Sequence, residues 1–290
     1  MHLLITGATG FIGKHVLLDA LADHRITKVT VVSRRPPSLD GKDMAQIKMA
    51  IINKLTIITR NDLGRWEYEE DKELVNALRD CKACIWMLMQ CMLARALLFS
   101  DVILRCIGGK ADDFATPSEF ERISLTFTVN AANFFSKLAQ EEQLTEGQIG
   151  LPDRRFRFCY CSAKWANRDG KANESLFSWE AHTRNMKGRV ERELLSIASQ
   201  SNGKMDVFVF RPGGAVAGAT VKSLGGFATT VATAGLRMMP SVVIHVERIA
   251  RVLVDASVGI RVEWQRQRPD GEKNTWESEE MVDWSLGLGV

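Results

Sequence analysis

Thr6-Gly7-Ala8-Thr9-Gly10-Phe11-Ile12-Gly13 is the stretch on which the rest of the chain is read. It follows the apolar run Leu3–Thr6 and opens Phe11–Ala22, where Phe11, Ile12, Val16, Leu18, Leu21 and Ala22 recur at helical spacing. A glycine pattern carries weight as a phosphate cradle only in this strand-to-helix setting. Gly7 permits the tight turn, Gly10 lets the backbone approach a pyrophosphate, and Gly13 lets the helix sit close to the sheet. Phosphates held there meet unpaired N–H groups and the positive end of the helix dipole. The competing reading is a glycine-rich turn that binds nothing.

Outward from this loop, strand and helix alternate. Lys28–Ser33, Leu55–Thr59, Ala83–Met89, Arg155–Cys161 and Asp206–Phe210 read as buried strands. Asp71–Arg79, Glu119–Glu142 and His182–Ser199 read as helices. Short apolar strands separated by helices predict an α/β fold: a doubly wound parallel sheet of the Rossmann type, with ligands at the carboxyl ends of its strands. After Arg211 the texture changes. Gly213–Gly235 is rich in Gly, Ala, Ser and Thr, Val242–His245 reads as a strand and Glu247–Ala256 as a helix. The stretch from Glu263 to Val290 is polar, with Trp264, Trp276 and Trp284. We expect residues 1–212 to form the dinucleotide-binding domain and 213–290 a small C-terminal cap packed on it.

The second strand speaks to cofactor choice. An Asp or Glu at that strand end holds a ribose 2′-hydroxyl, whereas Arg accommodates a 2′-phosphate. Here the strand runs Val31-Val32-Ser33-Arg34-Arg35 and ends without an acid, so NADP is expected over NAD unless Arg34 and Arg35 are simply solvated. After the third strand, Asp62-Leu63 stands where a carboxylate meets adenine, or where a helix is capped.

Composition excludes several classes. Over 290 residues, 38 Lys+Arg stand against 35 Asp+Glu, and the net charge of +3 is too small and too interleaved to argue for nucleic acid. No basic and apolar leader precedes Gly7, so a cytoplasmic protein is expected. Cys81-Lys-Ala-Cys84 is a C-x-x-C without a second ligand pair; no metal site is expected, and the cysteines read as reduced residues of a buried strand. The apolar stretch Cys84–Cys106 carries Gln90, Arg95, Asp101 and Arg105, which argues against a membrane span.

In these pieces the chain resembles the short-chain dehydrogenase/reductase superfamily, in its extended or atypical branch, the NAD-dependent epimerase/dehydratase-like one. The resemblance rests on Thr6–Gly13, Asp62-Leu63, Cys161-Ser162-Ala163, Lys187-Gly188-Arg189-Val190-Glu191, Arg211-Pro212-Gly213 and His245-Val246-Glu247-Arg248-Ile249-Ala250, in that order. It implies cofactor contacts at Gly7, Thr9, Gly10, Phe11, Ile12, Gly13, Arg34, Arg35, Asp62, Leu63, Lys187, Pro212 and Gly213. It also implies a serine, Ser162, that holds the substrate oxygen, and a lysine, Lys187, that binds ribose and lowers the pKa of a tyrosine. That tyrosine belongs four residues before the lysine, on the same helix face. Thr183 stands there, and a threonine hydroxyl is no general acid–base near neutral pH. Tyr160-Cys-Ser-Ala-Lys164 spells Y-x-x-x-K, but on a strand end, where four residues span roughly 13 Å, so it reads as a decoy. His182, beside the missing tyrosine, is the other candidate proton donor; His245 reads as structural. A second departure lies at 87–106, about twenty apolar residues between Trp86 and Cys106-Ile107-Gly108-Gly109-Lys110, an insertion or non-coding sequence read through. The expected function is an NADP-dependent oxidoreductase of a small carbonyl or alcohol. The alternatives are a catalytically impaired dinucleotide-binding sensor or scaffold, and a sugar-nucleotide epimerase or dehydratase. A homodimer through the long helix 119–142 is compatible with all three.

Overall fold

The computed structural model describes residues 1–39, 53–87, 116–145, 155–172, 178–216, 243–260 and 274–287. Cys91, Cys106, Trp264, residues 88–110 and most of the Gly/Ala-rich stretch after Val216 lie outside the described residues.

The strands are β1 (His2–Thr6), β2 (Lys28–Ser33), β3 (Leu55–Thr59), β4 (Cys81–Trp86), β5 (Phe156–Cys161), β6 (Met205–Arg211), β7 (Gly214–Val216), β8 (Val243–His245) and β9 (Thr275–Glu277). The helices are α1 (Phe11–Ala22), α2 (Lys72–Leu78), α3 (Pro117–Glu121), α4 (Phe127–Thr145), α5 (Ser178–Gln200), α6 (Val246–Ser257) and α7 (Ser278–Leu286). Seven parallel strands form one sheet in the order β3-β2-β1-β4-β5-β6-β9, and β7 pairs β8 separately. The chain runs outward from β1 through β2 to β3, then returns to the other side of β1 with β4. α1, which joins β1 to β2, lies on one face, and α4 and α5, which follow β4 and β5, lie on the other, so the crevice between the carboxyl ends of β1 and β4 is the switch point where such sheets take ligands.

Strand alternation divides the core into two layers. Leu3, Ile5, Val29, Val31, Ala83, Ile85, Cys159, Phe208 and Phe210 pack with α1 and α6. Leu4, Val32, Cys84, Trp86, Phe158, Tyr160, Val207 and Val209 pack with α2, α4 and α5. Burial on both faces is why β1, β4 and β6 read as unbroken apolar runs rather than as alternating ones. On the second face Trp66 lies 5.5–5.7 Å, centroid to centroid, from Trp86, Phe134 and Phe135.

One expectation is corrected. The helix expected over Glu119–Glu142 is interrupted. α3, capped by Thr116, gives way to a π-helical turn at Arg122–Thr126, where the Phe127 N–H reaches back five residues to the Arg122 carbonyl. The Thr128 hydroxyl beyond it donates to the Ser124 carbonyl and accepts from Trp86 Nε1, both at 2.8 Å. The turn is thus tied both to its own helix and to Trp86 on β4, and the second partner is not visible in the local sequence. The described late tryptophans are buried in the same body. Trp276 and Trp284 are both 4% exposed, and Trp276 stacks on Phe210 at 5.1 Å. β9 adds the seventh strand beside β6, α6 packs along α1, and α7 is fixed by a reciprocal Glu277–Glu280 cap. The described parts of 213–290 thus contribute a strand and two helices to the main body.

Candidate functional site

The glycine loop lies over the switch point. Gly7 has φ +69°, and a Cβ there would sit 2.1 Å from the Met87 carbonyl oxygen. A Cβ on Gly13 would sit 2.0 Å from the Gly7 carbonyl oxygen. Gly7 is therefore glycine for its backbone and for β4, and Gly13 because the start of α1 rests on the loop. The Gly10 N–H donates to the Gly7 carbonyl at 2.9 Å, and the Met87 N–H donates to Thr6 Oγ1 at 3.1 Å, stitching the ends of β1 and β4. Gly10 is the N-cap of α1, no side chain caps the helix, and its first turn carries no acid. Thr9, Gly10 and Phe11 are exposed, Ile12 half-buried. The helix start thus offers its positive end to an anion without a competing carboxylate.

Arg34 and Arg35 follow β2 and are exposed; among the described residues neither makes an ion pair. Ser33, buried, turns its hydroxyl to the Arg35 carbonyl at 2.7 Å and fixes the backbone that carries them. Asp62 is exposed, and its carboxylate accepts from the Gly64 N–H at 2.8 Å in a tight turn. Leu63 is buried and its carbonyl accepts from Trp66 Nε1 at 2.7 Å. Asp62 therefore organises a turn, with one carboxylate oxygen left over.

Lys187 is not a solvated helix lysine. It is 3% exposed, and its Nζ donates to Tyr160 Oη at 3.3 Å and lies 5.3 Å from that ring's centroid. Burial pushes the ammonium below the ordinary lysine value, against the pull of Cys161 and Glu191, and it pushes the Tyr160 phenol, itself 2% exposed, well above its own. Tyr160 stays a neutral phenol at neutral pH. Sequence reasoning missed this pair because its members come from different elements. The available signal was period two along β5, which puts Tyr160 and Ser162 on the α5 side of the sheet. Lys164, the other half of the apparent Y-x-x-x-K, instead meets Glu279 at 2.7 Å.

Ser162 is 2% exposed and donates to Glu191 Oε1 at 2.6 Å. Glu191, fully buried, also accepts from Arg168 Nε at 2.8 Å and from Arg211 Nε and Nη2 at 3.0 and 2.5 Å. Arg211 goes on to Glu277 at 2.9 Å and Arg168 to Thr275 at 2.6 Å. Burial works against the Arg211 charge, but Glu191 and Glu277 more than restore it, and its pKa rises. The arginine before Pro212-Gly213 thus fastens β6 to α5 and β9. Pro212 and Gly213 are buried; the Pro212 carbonyl accepts from the Lys164 N–H at 3.0 Å and the Gly213 N–H donates to Ser278 Oγ at 3.2 Å. The structure brings Ser162, Lys187 and Tyr160 to the β5–α5 junction. Thr183 is half-exposed one turn before Lys187, while His182 is exposed with its ring 5.4 Å from Phe120. His245 ends β8 and opens α6.

Cys81 and Cys84 stand on β4 and Cys159 and Cys161 on β5, all buried and none in a disulfide. Burial pushes the Cys84 thiol up, Cys159 to about 12 and Cys161 to about 11, so none of these three is a thiolate at neutral pH. Among the described residues no helix is long and apolar enough to cross a membrane.

No family model matches the chain, and no curated protein matches it in sequence. Solved structures do match in fold. MoeE5, solved in complex with UDP-glucose and NAD, is 16% identical, with a TM-score of 0.55 over 99% of this chain and 81% of its own. A short-chain dehydrogenase/reductase from Saccharomyces cerevisiae is 12% identical, with a TM-score of 0.54 over 97% and 98%. The yeast methylglyoxal/isovaleraldehyde reductase complexed with NADPH is 14% identical, with a TM-score of 0.50 over 88% and 74%. Strand order, glycine loop and these likenesses agree on the fold: the chain has a Rossmann-type α/β fold, shared with these solved structures.

Proposed function

We propose that this chain binds a nicotinamide dinucleotide, NADP in preference to NAD, and uses it to reduce or oxidise a small carbonyl or alcohol substrate. The observation that carries the reading is the glycine cradle. Gly7 and Gly13 each occupy a place where a Cβ would collide with backbone, and the uncapped start of α1 stands beside them. That is a fit to a pyrophosphate. Two exposed arginines at the end of β2, with no acid between them, favour a 2′-phosphate. Neighbours of the same fold were solved with NAD and with NADPH, which supports the cofactor class without choosing between the two.

Once bound, the dinucleotide supplies the hydride chemistry. The chain's residues bind and orient. Thr9, Phe11 and Ile12 border the phosphates, Asp62 and Leu63 the adenine, Pro212 and Gly213 the nicotinamide end, and residues 213–290 the substrate side. Lys187 carries the positive charge that meets the ribose. Ser162 is the substrate's hydrogen-bond donor. Turning its hydroxyl from Glu191 to a substrate oxygen exchanges one hydrogen bond for another, and Glu191 keeps both arginines. One observation favours the second reading, a dinucleotide-binding sensor: the one phenol beside Lys187 is 2% exposed. The epimerase reading shares the same cofactor site.

The test is NADPH consumption by the purified chain against a panel of aldehydes, ketones and quinones. Turnover that falls at least tenfold in Lys187→Ala supports the oxidoreductase. NADPH binding without turnover across the panel selects the sensor.

A further inference from the structure

The loop that leaves β5 is fixed to α5 at closely spaced points. The Asn167 N–H donates to the Arg184 carbonyl at 3.0 Å, and Arg184 Nε donates to the Trp165 carbonyl at 3.0 Å. Arg168 enters the Glu191 cluster, and the Ala172 N–H donates to Asn185 Oδ1 at 3.0 Å. The loop passes so close that a Cβ on Gly188 would sit 1.9 Å from the Asn167 carbonyl oxygen. Inside this clamped segment Trp165 has φ +64°. A bulky side chain is a true outlier in that region. The other non-glycine residue there among the described ones is Asn202, in the turn after α5, where asparagine is ordinary.

A strained backbone of this kind persists where the surrounding structure over-determines it. Trp165 is 44% exposed, and among the described residues its indole makes neither a ring contact nor a hydrogen bond. Packing therefore does not explain the residue, and an outlier held in place by its surroundings points to use by a ligand. It stands three residues after Ser162, and its carbonyl is tied to the turn of α5 that carries Thr183 and Lys187.

We infer that Trp165 is a specificity-determining residue, whose indole face stacks on a flat unsaturated ring of the substrate at the rim of the β5–α5 junction. This rests on the proposed function only in placing the substrate at the carboxyl end of β5. The flat ring belongs either to an aryl or quinone carbonyl compound or to the base of a nucleotide-linked substrate. The shared chemistry is an aromatic face, for which stacking gives roughly a three- to tenfold gain in affinity beyond contact area.

The experiment uses the full chain saturated with NADP. Three probes are titrated, 2-acetylnaphthalene, cyclohexyl methyl ketone and UDP, into wild type, Trp165→Phe, Trp165→Ala and Trp165→Gly, with thermal unfolding of each. The expected result is a three- to tenfold weaker affinity of Trp165→Ala for a flat probe, retention in Trp165→Phe, and no change for the cyclohexyl ketone. Loss confined to 2-acetylnaphthalene assigns a carbonyl substrate, and loss confined to UDP a nucleotide. Trp165→Gly, freed of the positive-φ strain, unfolds about 2–4 °C higher than wild type while losing the flat probe. Equal affinities in wild type and Trp165→Ala, equal losses for flat and saturated probes, or no binding of either flat probe overturns the inference. The dinucleotide is titrated alone in parallel: its failure to bind wild type removes the proposed function, whereas intact dinucleotide binding with an indifferent Trp165 removes only the stacking role.

Discussion

Replacing Gly13 by alanine separates what the glycine loop does for folding from what it does for a ligand. On helix propensity alone the change stabilises α1 by about 1 kcal/mol. Against that, the new Cβ would lie 2.0 Å from the Gly7 carbonyl oxygen, 2.6 Å from its carbon and 2.9 Å from the Ala8 Cα. These are backbone atoms, so no side chain can swing away, and the start of α1 must lift by about 1 Å or more. Overpacking of this size costs about 1–3 kcal/mol. The net loss of stability is then about 0–2 kcal/mol. The ligand feels the displacement directly, because the amides that would hold the phosphates are on the part that moves. We expect the NADPH Kd to rise about 10- to 100-fold, a loss of about 1.4–2.8 kcal/mol. Urea unfolding followed by tryptophan fluorescence measures the first quantity and NADPH fluorescence titration the second. Gly203→Ala is the control: it forces alanine to φ +73° in the turn after α5, with nothing within 4 Å of the new Cβ, so it costs stability and leaves NADPH affinity unchanged. A Gly13→Ala variant that binds NADPH as wild type does, or loses no more than Gly203→Ala, refutes the cradle.

Removing both exposed arginines, Arg34→Ala with Arg35→Ala, should weaken NADPH about 10- to 100-fold and NADH less than twofold, since only the former carries the 2′-phosphate; equal losses in parallel titrations contradict the NADP preference. Glu191→Gln breaks a fully buried carboxylate cluster holding Ser162, Arg168 and Arg211, and should cost about 3–5 kcal/mol by urea unfolding; a loss below about 1 kcal/mol would show that the cluster does not form. Tyr160→Phe keeps the ring and removes the only oxygen that Lys187 reaches among the described residues, a loss of about 1.5–3 kcal/mol in the same assay; an unchanged stability would count against the contact. Asp23 bonds Arg25, which holds its carboxyl down at about 2 against an ordinary 3.8. A depressed carboxyl contributes stability above its unfolded value and loses it as pH falls through the folded one. Asp23→Asn should therefore be about 2 kcal/mol less stable than wild type at pH 7, and the gap should close between pH 4 and 2; a gap that persists at pH 2 would exclude this origin.

Much of the fold was legible because β1, β2, β4, β5 and β6 are buried on both faces, which leaves unbroken apolar runs between helical patterns. The glycine loop was legible for a similar reason: a Cβ at Gly7 or Gly13 would collide with backbone, which favours glycine at both and so marks the sequence. The π-helical turn at Arg122–Thr126 left no such mark; the residue just beyond it, Thr128, is bonded to Trp86 on a distant strand. β9 is three residues long, too short for a period, and the cover over its Trp276 comes from Phe208 and Phe210 on a strand far away in the chain. The Tyr160–Lys187 contact and the Glu191 cluster were hidden because each joins strand to helix across at least 20 residues. A single motif scan along the chain sees Thr183 before Lys187 and does not look to β5.

The most direct measurement is isothermal calorimetry of the purified, full-length chain with NADPH and with NADH at one fixed ionic strength. Saturable binding of one NADPH per chain, tighter than NADH, is the expected result. Tighter NADH would contradict the role given to Arg34 and Arg35. No heat and no saturation with either dinucleotide would contradict the reading of Thr6–Gly13 as a phosphate cradle, and the proposed function with it.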